Sequence, residues 1–293
     1  MRKNFITIGA FDGVHLGHRR LIYALKDFAA QNKMNSAVLA FGYPPKVVMQ
    51  GLPPQAVITT PAEKFELIRA LGPAQIYKLD FNKLRDLSAR DFFAALLKKY
   101  KMGGILVGPD FAFGKDRGGR LDFLKKACAA NNIIYIASDF VQEGGRKISS
   151  SLIRAALRGG DIESVGKMLG RPYRLSGKIV KGRRLGRAIG FPTANMAVDG
   201  HKILPPGVFA VRVYLGKEVF KGVCNIGTRP TIDKNGAPSV ETHILDFNRS
   251  IYGRVLKVDF LFKIRGEKKF SGLDELKIQI AKDARAARKN IFL

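Results

Sequence analysis

The pattern of apolar residues changes once along this chain of 293 residues, near residues 170–172, and this change constrains the fold more than any other feature. Before it, short apolar runs alternate with segments whose apolar residues, such as Leu21, Leu25 and Phe28, have helical spacing. The runs are residues 5–8, 37–41, 75–79, 104–107 and 133–136. Strands that alternate with helices predict an α/β fold with a parallel, doubly wound sheet and right-handed crossovers. Ligands bind at the carboxyl ends of such strands, so the loop after residue 8 is the first candidate site.

Beyond residue 172 the apolar residues follow a period of two, as where Val211 and Val213 alternate with Arg212 and Tyr214. This period is typical of an antiparallel strand with one exposed face. Gly216 and the lysine after it predict a hairpin turn. Further strands are predicted over residues 175–181, 220–226, 240–245 and 255–262.

One helix is predicted at the end of the sequence, with Ser271 as its N-cap. Its buried stripe comprises Leu276, Ile280, Ala284 and Ala287. Strands separated by turns and followed by one helix predict a small antiparallel β-barrel. The sequence therefore predicts two domains, residues 1–171 and residues 172–293.

The chain is strongly basic, with 51 Lys and Arg against 24 Asp and Glu and a formal net charge of +27. The excess is shared, since residues 1–171 carry 27 basic and 14 acidic residues and residues 172–293 carry 24 and 10. Positive charge attracts nucleic acids, anionic membranes or phosphorylated metabolites. A nucleic-acid-binding protein is an alternative that rests on charge alone, because no helix-turn-helix, zinc-finger or RRM signature is present. We expect no specific nucleic acid partner.

Two further features restrict the class of protein. No apolar run approaches the roughly 18–20 residues that span a bilayer, and Asp12 interrupts the apolar stretch near the start. We therefore expect no membrane association. Cys128 and Cys224 are too few for a disulfide framework or a cysteine-based metal site. These features predict a cytoplasmic protein.

The strongest local signal is residues 9–18, GAFDGVHLGH, between the first predicted strand and the first predicted helix. Common phosphate-binding motifs are absent: no two glycines have Gly-x-Gly spacing, and no Gly-Lys pair is followed by Ser or Thr. His15 and His18 share a face of the helix start, where backbone N–H groups and the helix dipole already favour an anion. The candidate phosphate-binding residues of this segment are Gly9, Phe11, Gly13, Gly17, His15 and His18. The alternative is a solvated turn with capping histidines; zinc is disfavoured because no third ligand is nearby.

This segment resembles the Gly-x-Phe-Asp-Gly-x-His-x-Gly-His motif of the bacterial bifunctional riboflavin kinase/FAD synthetase family. Further blocks resemble the family's motifs in the same order along nearly the whole chain. They are residues 43–45 (YPP), 107–115 (VGPDFAFGK), 147–154 (KISSSLIR), 190–195 (GFPTAN), 225–230 (NIGTRP) and 241–247 (ETHILDF). One block could arise by chance, whereas the ordered set is highly specific.

The resemblance implies that the first domain adenylylates FMN: a phosphate oxygen of FMN attacks the α-phosphorus of ATP and pyrophosphate leaves. Such chemistry depends on positioning and charge neutralisation, and His15 and His18 suit donors to the triphosphate. Candidate contacts to the leaving phosphates are Ser149, Ser150, Ser151 and Arg154; the alternative for the serines is helix capping. Asp110 is implied to contact flavin or nucleotide, with a turn aspartate as the alternative. Phe111 and Phe113 could stack on a flavin or fill the core.

In the second domain the resemblance implies phosphorylation of riboflavin by ATP. It assigns Glu241 as the base for the ribityl hydroxyl, and Thr193 and Asn195 to Mg²⁺ and nucleotide. Gly182 and Arg187 would belong to a mobile loop over the triphosphate. The alternatives are an exposed strand carboxylate for Glu241, a turn at residues 192–195 and a basic surface loop at residues 182–187.

The expected function is therefore the synthesis of FMN from riboflavin and of FAD from FMN, with ATP as co-substrate and Mg²⁺ as cofactor. A kinase whose adenylyltransferase half is degenerate is the nearest alternative. The presence of His15, His18, Ser150 and Arg154 argues against it.

Overall fold

The chain folds into two compact units, residues 1–150 and residues 151–293. The computed structural model describes residues 2–139, 142–143, 146–182, 186, 189–227 and 238–291. No helix in these ranges combines the length and the apolar character that crossing a membrane requires.

The first unit is built on a parallel sheet that has five strands among the described residues, in the order β3-β2-β1-β4-β5. Its strands are β1 (Asn4–Gly9), β2 (Asn35–Phe41), β3 (Gln75–Leu79), β4 (Met102–Val107) and β5 (Ile134–Ala137). Its helices are α1 (Leu16–Gln31), α2 (Pro45–Met49), α3 (Pro61–Ala70), α4 (Ala89–Tyr100) and α5 (Leu121–Ala130). A short hairpin, β6 (Gln142–Glu143) and β7 (Arg146–Lys147), follows. The predicted doubly wound parallel sheet is confirmed.

Both faces of this sheet are buried, which explains why its strands are continuous apolar runs. Ile6 of β1 and Leu39 of β2 belong to a core cluster with α4 and α5. The neighbouring residues Phe5 and Val38 enter a second cluster with α1 and α3. Because alternate side chains of a strand point to opposite faces, such a strand carries apolar residues on both of its faces. The central strand β1 ends in the loop that carries the histidine motif.

The second unit contains a closed barrel of six strands, in the order β10-β11-β12-β9-β8-β13 within the described residues. The strands are β8 (Tyr173–Val180), β9 (Ala194–Val198), β10 (Gly207–Leu215), β11 (Glu218–Gly227), β12 (Ser239–Ile244) and β13 (Val255–Arg265). The helices are α6 (Ser150–Gly159), which begins at the last residue of the first unit, α7 (Ile162–Leu169) and the terminal α8 (Leu273–Asn290). All barrel pairings are antiparallel, and Gly216 forms the β10–β11 hairpin at φ +66°. The predicted antiparallel barrel with a C-terminal helix is confirmed.

Two local predictions were wrong. Residues 194 and 195, expected to lie in a turn at residues 192–195, begin β9, because Asn195 pairs with Val180 of β8 on one side and Glu241 of β12 on the other. The terminal helix is capped by Gly272 instead of Ser271. The Ser271 amide and hydroxyl donate to the carboxylate of Glu275, each at 3.0 Å. These bonds, together with Lys268, lower the pKa of the Glu275 carboxyl to about 2.

Residues 151–171, which the sequence analysis assigned to the first domain, belong to the second unit. Helix α7 packs against β13 and β8, and the Glu163 carboxylate accepts a hydrogen bond from the Lys263 amide at 2.9 Å. Ile162, Val165 and Leu169 of α7 are almost completely buried.

Removal of α7 should therefore destabilise the barrel without removing its catalytic candidates. A fragment of residues 172–293 should unfold at a lower urea concentration than a fragment of residues 151–293. Each buried aliphatic side chain contributes about 1.5–3 kcal/mol, so exposing the barrel surface under α7 carries a substantial cost. Urea unfolding followed by circular dichroism measures the difference, and equal midpoints would show that α7 adds nothing to the barrel's stability.

Candidate active sites

The loop between β1 and α1 has a backbone that is unusual for its sequence. Phe11 and Val14 have φ values of +48° and +41°, and both are about 99% buried. A β-branched residue rarely adopts this left-handed region, so the conformation at Val14 is strained. Gly13 lies between them at φ +83°, where a Cβ would also crowd the Ile58 side chain. The loop therefore has a fixed shape that must be held by neighbouring contacts.

Asp12 provides the main contacts that hold this loop. Its buried carboxylate accepts hydrogen bonds at 3.1 Å from the amides of Ile58 and Thr59, and at 3.2 Å from the Thr59 hydroxyl. The Gly13 amide donates to the same hydroxyl at 3.0 Å. Asp12 stands inside the motif, but the sequence analysis gave it no role because its partners are 46 and 47 residues away.

His15 and His18 lie against each other at the start of α1. His15 is the N-cap, and its Nδ1 accepts a hydrogen bond from the His18 amide at 3.4 Å. The two imidazoles are stacked with their centroids 3.6 Å apart, and the Phe11 ring packs at 5.1 Å from His18. Because Nδ1 of His15 accepts, the neutral ring carries its proton on Nε2.

The other motif residues of the first unit lie at the same edge of the sheet. The Ser150 hydroxyl donates to the backbone carbonyl of Asp12 at 2.9 Å. Asp110 follows β4 and is exposed. It forms an ion pair with Lys147, the first residue of the block at residues 147–154. Gly9 ends β1, Gly17 lies in the first turn of α1 and Ser149 is half-buried. The structure thus brings the blocks at residues 9–18, 107–115 and 147–150 together.

The remaining candidates of the first domain are Ser151, Arg154, Phe111 and Phe113. Ser151 is exposed in the first turn of α6, and Arg154 lies one turn further along this helix, in the second unit. Phe113 is buried and packs on Phe92 at 5.3 Å, so it is a core residue. Phe111 is half-buried and stacks on Phe113 at 5.4 Å.

Two cavities lined by described residues of the second unit share Thr193. The larger, about 610 Å³, is lined by Thr193, Glu241 and His243 and by apolar side chains of α8 such as Leu276 and Ile280. The smaller, about 180 Å³, is lined by residues that include Ile179, Pro192, Thr193, Ile244 and Tyr252. On β12, Glu241 and His243 line the larger cavity whereas Thr242 and Ile244 line the smaller one, so the cavities lie on opposite faces of this strand.

Three polar side chains form a row across the barrel wall. Asn225 of β11, Glu241 of β12 and Asn195 of β9 are direct neighbours in register. Residues opposite each other on paired strands project from the same face, so the row faces one side of the wall. The Glu241 charge also lies near Cys224, whose thiol has a pKa of about 12, raised first by burial and further by this carboxylate.

Two residues that line the larger cavity, His243 and Asn225, were not predicted as site residues from the sequence. His243 lies two residues after Glu241 on β12, which puts both side chains on the face of the larger cavity. Its Nδ1 is 2.9 Å from the Pro192 carbonyl, and its ring packs on Phe191 at 5.5 Å. His243 therefore holds the segment before β9 that carries Thr193. The two-residue spacing from Glu241 was the available signal.

The predicted loop over the triphosphate is described only in part. A Cβ at Gly182 would overlap the amide of Asn195, so a side chain cannot be accommodated there without movement. Arg187 lies outside the described residues, as do Arg183 and Arg184.

The chain also matches models of known families in both of its parts. A model described as FAD synthetase matches residues 1–152, and one described as riboflavin kinase matches residues 169–291. The chain belongs to the bifunctional riboflavin kinase/FMN adenylyltransferase family. The family suggested by the ordered motifs is confirmed, and the chain is a transferase with riboflavin kinase and FAD synthetase domains.

Relatives of the whole chain carry the same description. The bifunctional riboflavin kinase/FMN adenylyltransferase of Bacillus subtilis strain 168 is 36% identical over 97% of this chain and 92% of its own length. The protein of that name from Escherichia coli K12 is 37% identical over 97% of this chain and 91% of its own length. Among solved structures, a protein titled macrolide-efflux protein from Streptococcus pneumoniae matches with a TM-score of 0.87 and 30% identity, covering 100% of this chain and 96% of its own.

Proposed function

We propose that the barrel transfers the γ-phosphoryl group of ATP to riboflavin, and that the first unit then joins FMN to the adenylyl group of a second ATP with release of pyrophosphate. The observation that carries the kinase assignment is the cavity of about 610 Å³ that Thr193 and Glu241 line together with Leu276 and Ile280 of α8. Its apolar α8 side chains suit the flavin ring, and the candidate base Glu241 and the Thr193 hydroxyl line the same cavity.

In the kinase step, Glu241 accepts the proton of the primary ribityl hydroxyl as the hydroxyl oxygen attacks the γ-phosphorus, the bond to the β–γ bridging oxygen breaks and ADP leaves. A primary hydroxyl is a poor nucleophile, so a positioned base lowers the barrier. Asn225 and Asn195 flank the carboxylate in the row across the wall and help to orient it. His243 acts indirectly, because its contact with the Pro192 carbonyl fixes the segment before β9 that carries Thr193.

The oxygen atoms at this site suit Mg²⁺. Among the described residues no group of three or more His, Cys, Asp or Glu could hold a metal ion by itself. Mg²⁺ is commonly bound by one or two protein oxygens together with substrate phosphates and water, and the Thr193 hydroxyl and Asn195 amide provide such oxygens. When bound with ATP, the ion would neutralise charge on the phosphates. Gly182 and Arg187 are proposed to cover the triphosphate.

In the adenylyl transfer step, His15 and His18 donate hydrogen bonds to the phosphates as negative charge moves to the pyrophosphate. The Nδ1 atom of His15 accepts a hydrogen bond from the His18 amide, so the ring atom proposed to donate to the phosphates is Nε2. Gly9, Phe11, Gly13 and Gly17 shape the loop. Ser149, Ser150, Ser151 and Arg154 are proposed to bind the leaving phosphates, and Asp110 to contact flavin or nucleotide.

The decisive experiment is an assay with the purified chain. Incubation with riboflavin, ATP and Mg²⁺ should give FMN first and then FAD, separated by chromatography, whereas incubation with FMN should give FAD directly. FMN without FAD would indicate that the adenylyltransferase half is degenerate. If neither flavin appeared, the proposed function would be wrong.

We also propose that the protein is cytoplasmic. Cys128 and Cys224 are both free and buried, and burial raises the pKa of their thiols to about 11 and about 12. Such thiols remain protonated and do not form disulfides readily, which fits a reducing compartment.

A further inference from the structure

We propose that residues 58–64, which belong to none of the motifs, act as a bracket that sets the position of two loops of the adenylyl-transfer site relative to each other. Asp12, Thr59 and Lys64 are its positioning residues. The inference rests on the proposed function of the first unit, because the bracket is argued to act on that reaction.

One end of the bracket holds the histidine loop. The Ile58 and Thr59 amides and the Thr59 hydroxyl all donate to the Asp12 carboxylate, and the Thr59 hydroxyl in turn accepts from the Gly13 amide. Thr59 is 4% exposed and Asp12 is 1% exposed, so these bonds are shielded from water. The residues they fix, Asp12 and Gly13, lie between the two strained positions Phe11 and Val14. The bonds therefore stabilise a loop shape that its own sequence disfavours.

The other end of the bracket holds the loop after β2. Lys64 is completely buried, and its ammonium donates to the carbonyls of Phe41 at 2.9 Å and Gly42 at 2.8 Å. A buried ammonium is costly unless its protons are hydrogen-bonded, so these contacts are strongly directional constraints. Phe41 is the last residue of β2, and Gly42 leads into the block at residues 43–45.

The two ends are joined by a stiff connection. Thr60 and Glu63 form a capping box, with the Glu63 amide donating to the Thr60 hydroxyl at 3.3 Å and the Thr60 amide donating to the Glu63 carboxylate at 3.0 Å. Pro61 occupies the first position of α3 and fixes the backbone further. Thr59 and Lys64 consequently move together.

The bracket matters because the sheet alone does not position the loops. Strands β1 and β2 pair with each other only as far as Gly9 and Ala40, and β2 ends one residue later at Phe41, which pairs with Leu79 of β3. One loop leads to His15 and His18, and the other lines a cavity of about 400 Å³ with Gly42, Tyr43, Phe81 and other residues. A displacement of about 1 Å between reacting groups can cost roughly 10²-fold in rate, so the spacing of these loops should affect catalysis.

The test uses two variants of the full chain, one at each end of the bracket. Thr59→Val keeps the shape of the side chain but removes its hydroxyl, and Lys64→Met removes the ammonium but retains an unbranched chain. Each should lower kcat for FAD formation from FMN by about 10-fold or more, with KM values for ATP and FMN within about 3-fold, because misplacement affects the reacting geometry more than binding. Thr59→Ser restores the hydroxyl and should recover most of the lost rate.

Two controls separate positioning from general damage. Lys26→Met removes a lysine that also donates to a backbone carbonyl, that of Leu71 at 3.0 Å, and should leave kcat unchanged. In the double variant Thr59→Val/Lys64→Met, the loss in log kcat should be smaller than the sum of the losses in the two single variants, because both substitutions disrupt the same bracket. FMN formation from riboflavin, measured on the same samples, should stay at the wild-type rate.

The outcomes distinguish the bracket from the proposed function. If the wild-type chain made no FAD, the proposed function itself would fail. If it made FAD and Thr59→Val and Lys64→Met did so at the same rate per folded molecule, the bracket would be refuted. A loss in Thr59→Val that Thr59→Ser did not recover would also count against it, as would FAD loss that merely followed the fraction of unfolded protein. Lys64→Met is dispensable if it does not fold, because Thr59→Val and Thr59→Ser decide the question together.

Discussion

Glu241→Gln is expected to lower the rate of FMN formation by about 10²–10⁴-fold, the range typical of a positioned general base. Glutamine keeps the shape and hydrogen-bonding capacity of the side chain, so Asn225 and Asn195 retain a polar neighbour in the row. What is lost is the carboxylate that accepts the ribityl proton. Steady-state rates with riboflavin and ATP measure the effect, and FAD formation from supplied FMN should be unaffected.

Asp246→Asn is the matched control for this experiment. Asp246 lies five residues along the chain, but its carboxylate is exposed and accepts a hydrogen bond from Arg288 at 2.9 Å, and it lines neither cavity of the barrel. The rate of FMN formation by Asp246→Asn should remain within about 2-fold of the wild-type rate, as surface substitutions usually have small effects. A fully active Glu241→Gln would remove Glu241 from the mechanism, and a large loss in Asp246→Asn would move the base there.

The layered architecture could be predicted because its strands carry strong local signals. In the first unit both faces of the sheet are covered, so β1 and β2 are apolar at most positions, and such runs are visible without knowing their partners. In the barrel, β10 shows the alternation of a half-exposed strand towards its end. β9 has neither signal, because its five residues owe their conformation to the strands on both sides. Tertiary pairing overrides a weak local preference there.

The candidate sites divide in the same way. His15 and His18 could be placed on one face because they are three residues apart in a helix start. The partnership of Asp12 with Thr59 could not be predicted, because it joins residues 47 apart and uses backbone amides that any sequence provides. Lys64 likewise has the sequence context of an ordinary helix lysine, and only the structure shows that it is buried. Long-range contacts to the backbone leave no pattern in a single sequence.

The second large effect is expected at the histidine pair, where His18→Ala should lower FAD formation by about 10²–10³-fold, comparable to the loss of one preorganised donor to developing charge. Alanine preserves the helix but removes the imidazole that stacks on His15 at 3.6 Å and packs against Phe11. The loss should appear in kcat more than in the KM for ATP, because the charge develops only as pyrophosphate leaves.

The matched control is His201→Ala, which removes a histidine of the barrel unit that lines neither of its cavities and should leave both rates unchanged. FMN formation by His18→Ala should also stay near wild type, since the candidate residues for riboflavin phosphorylation lie in the second unit. Both rates are measured on one preparation of each variant. An equal fall of the two in His18→Ala would indicate misfolding, whereas FAD formation at the wild-type rate would show that the stacked pair is a helix cap and that the triphosphate is neutralised by other groups.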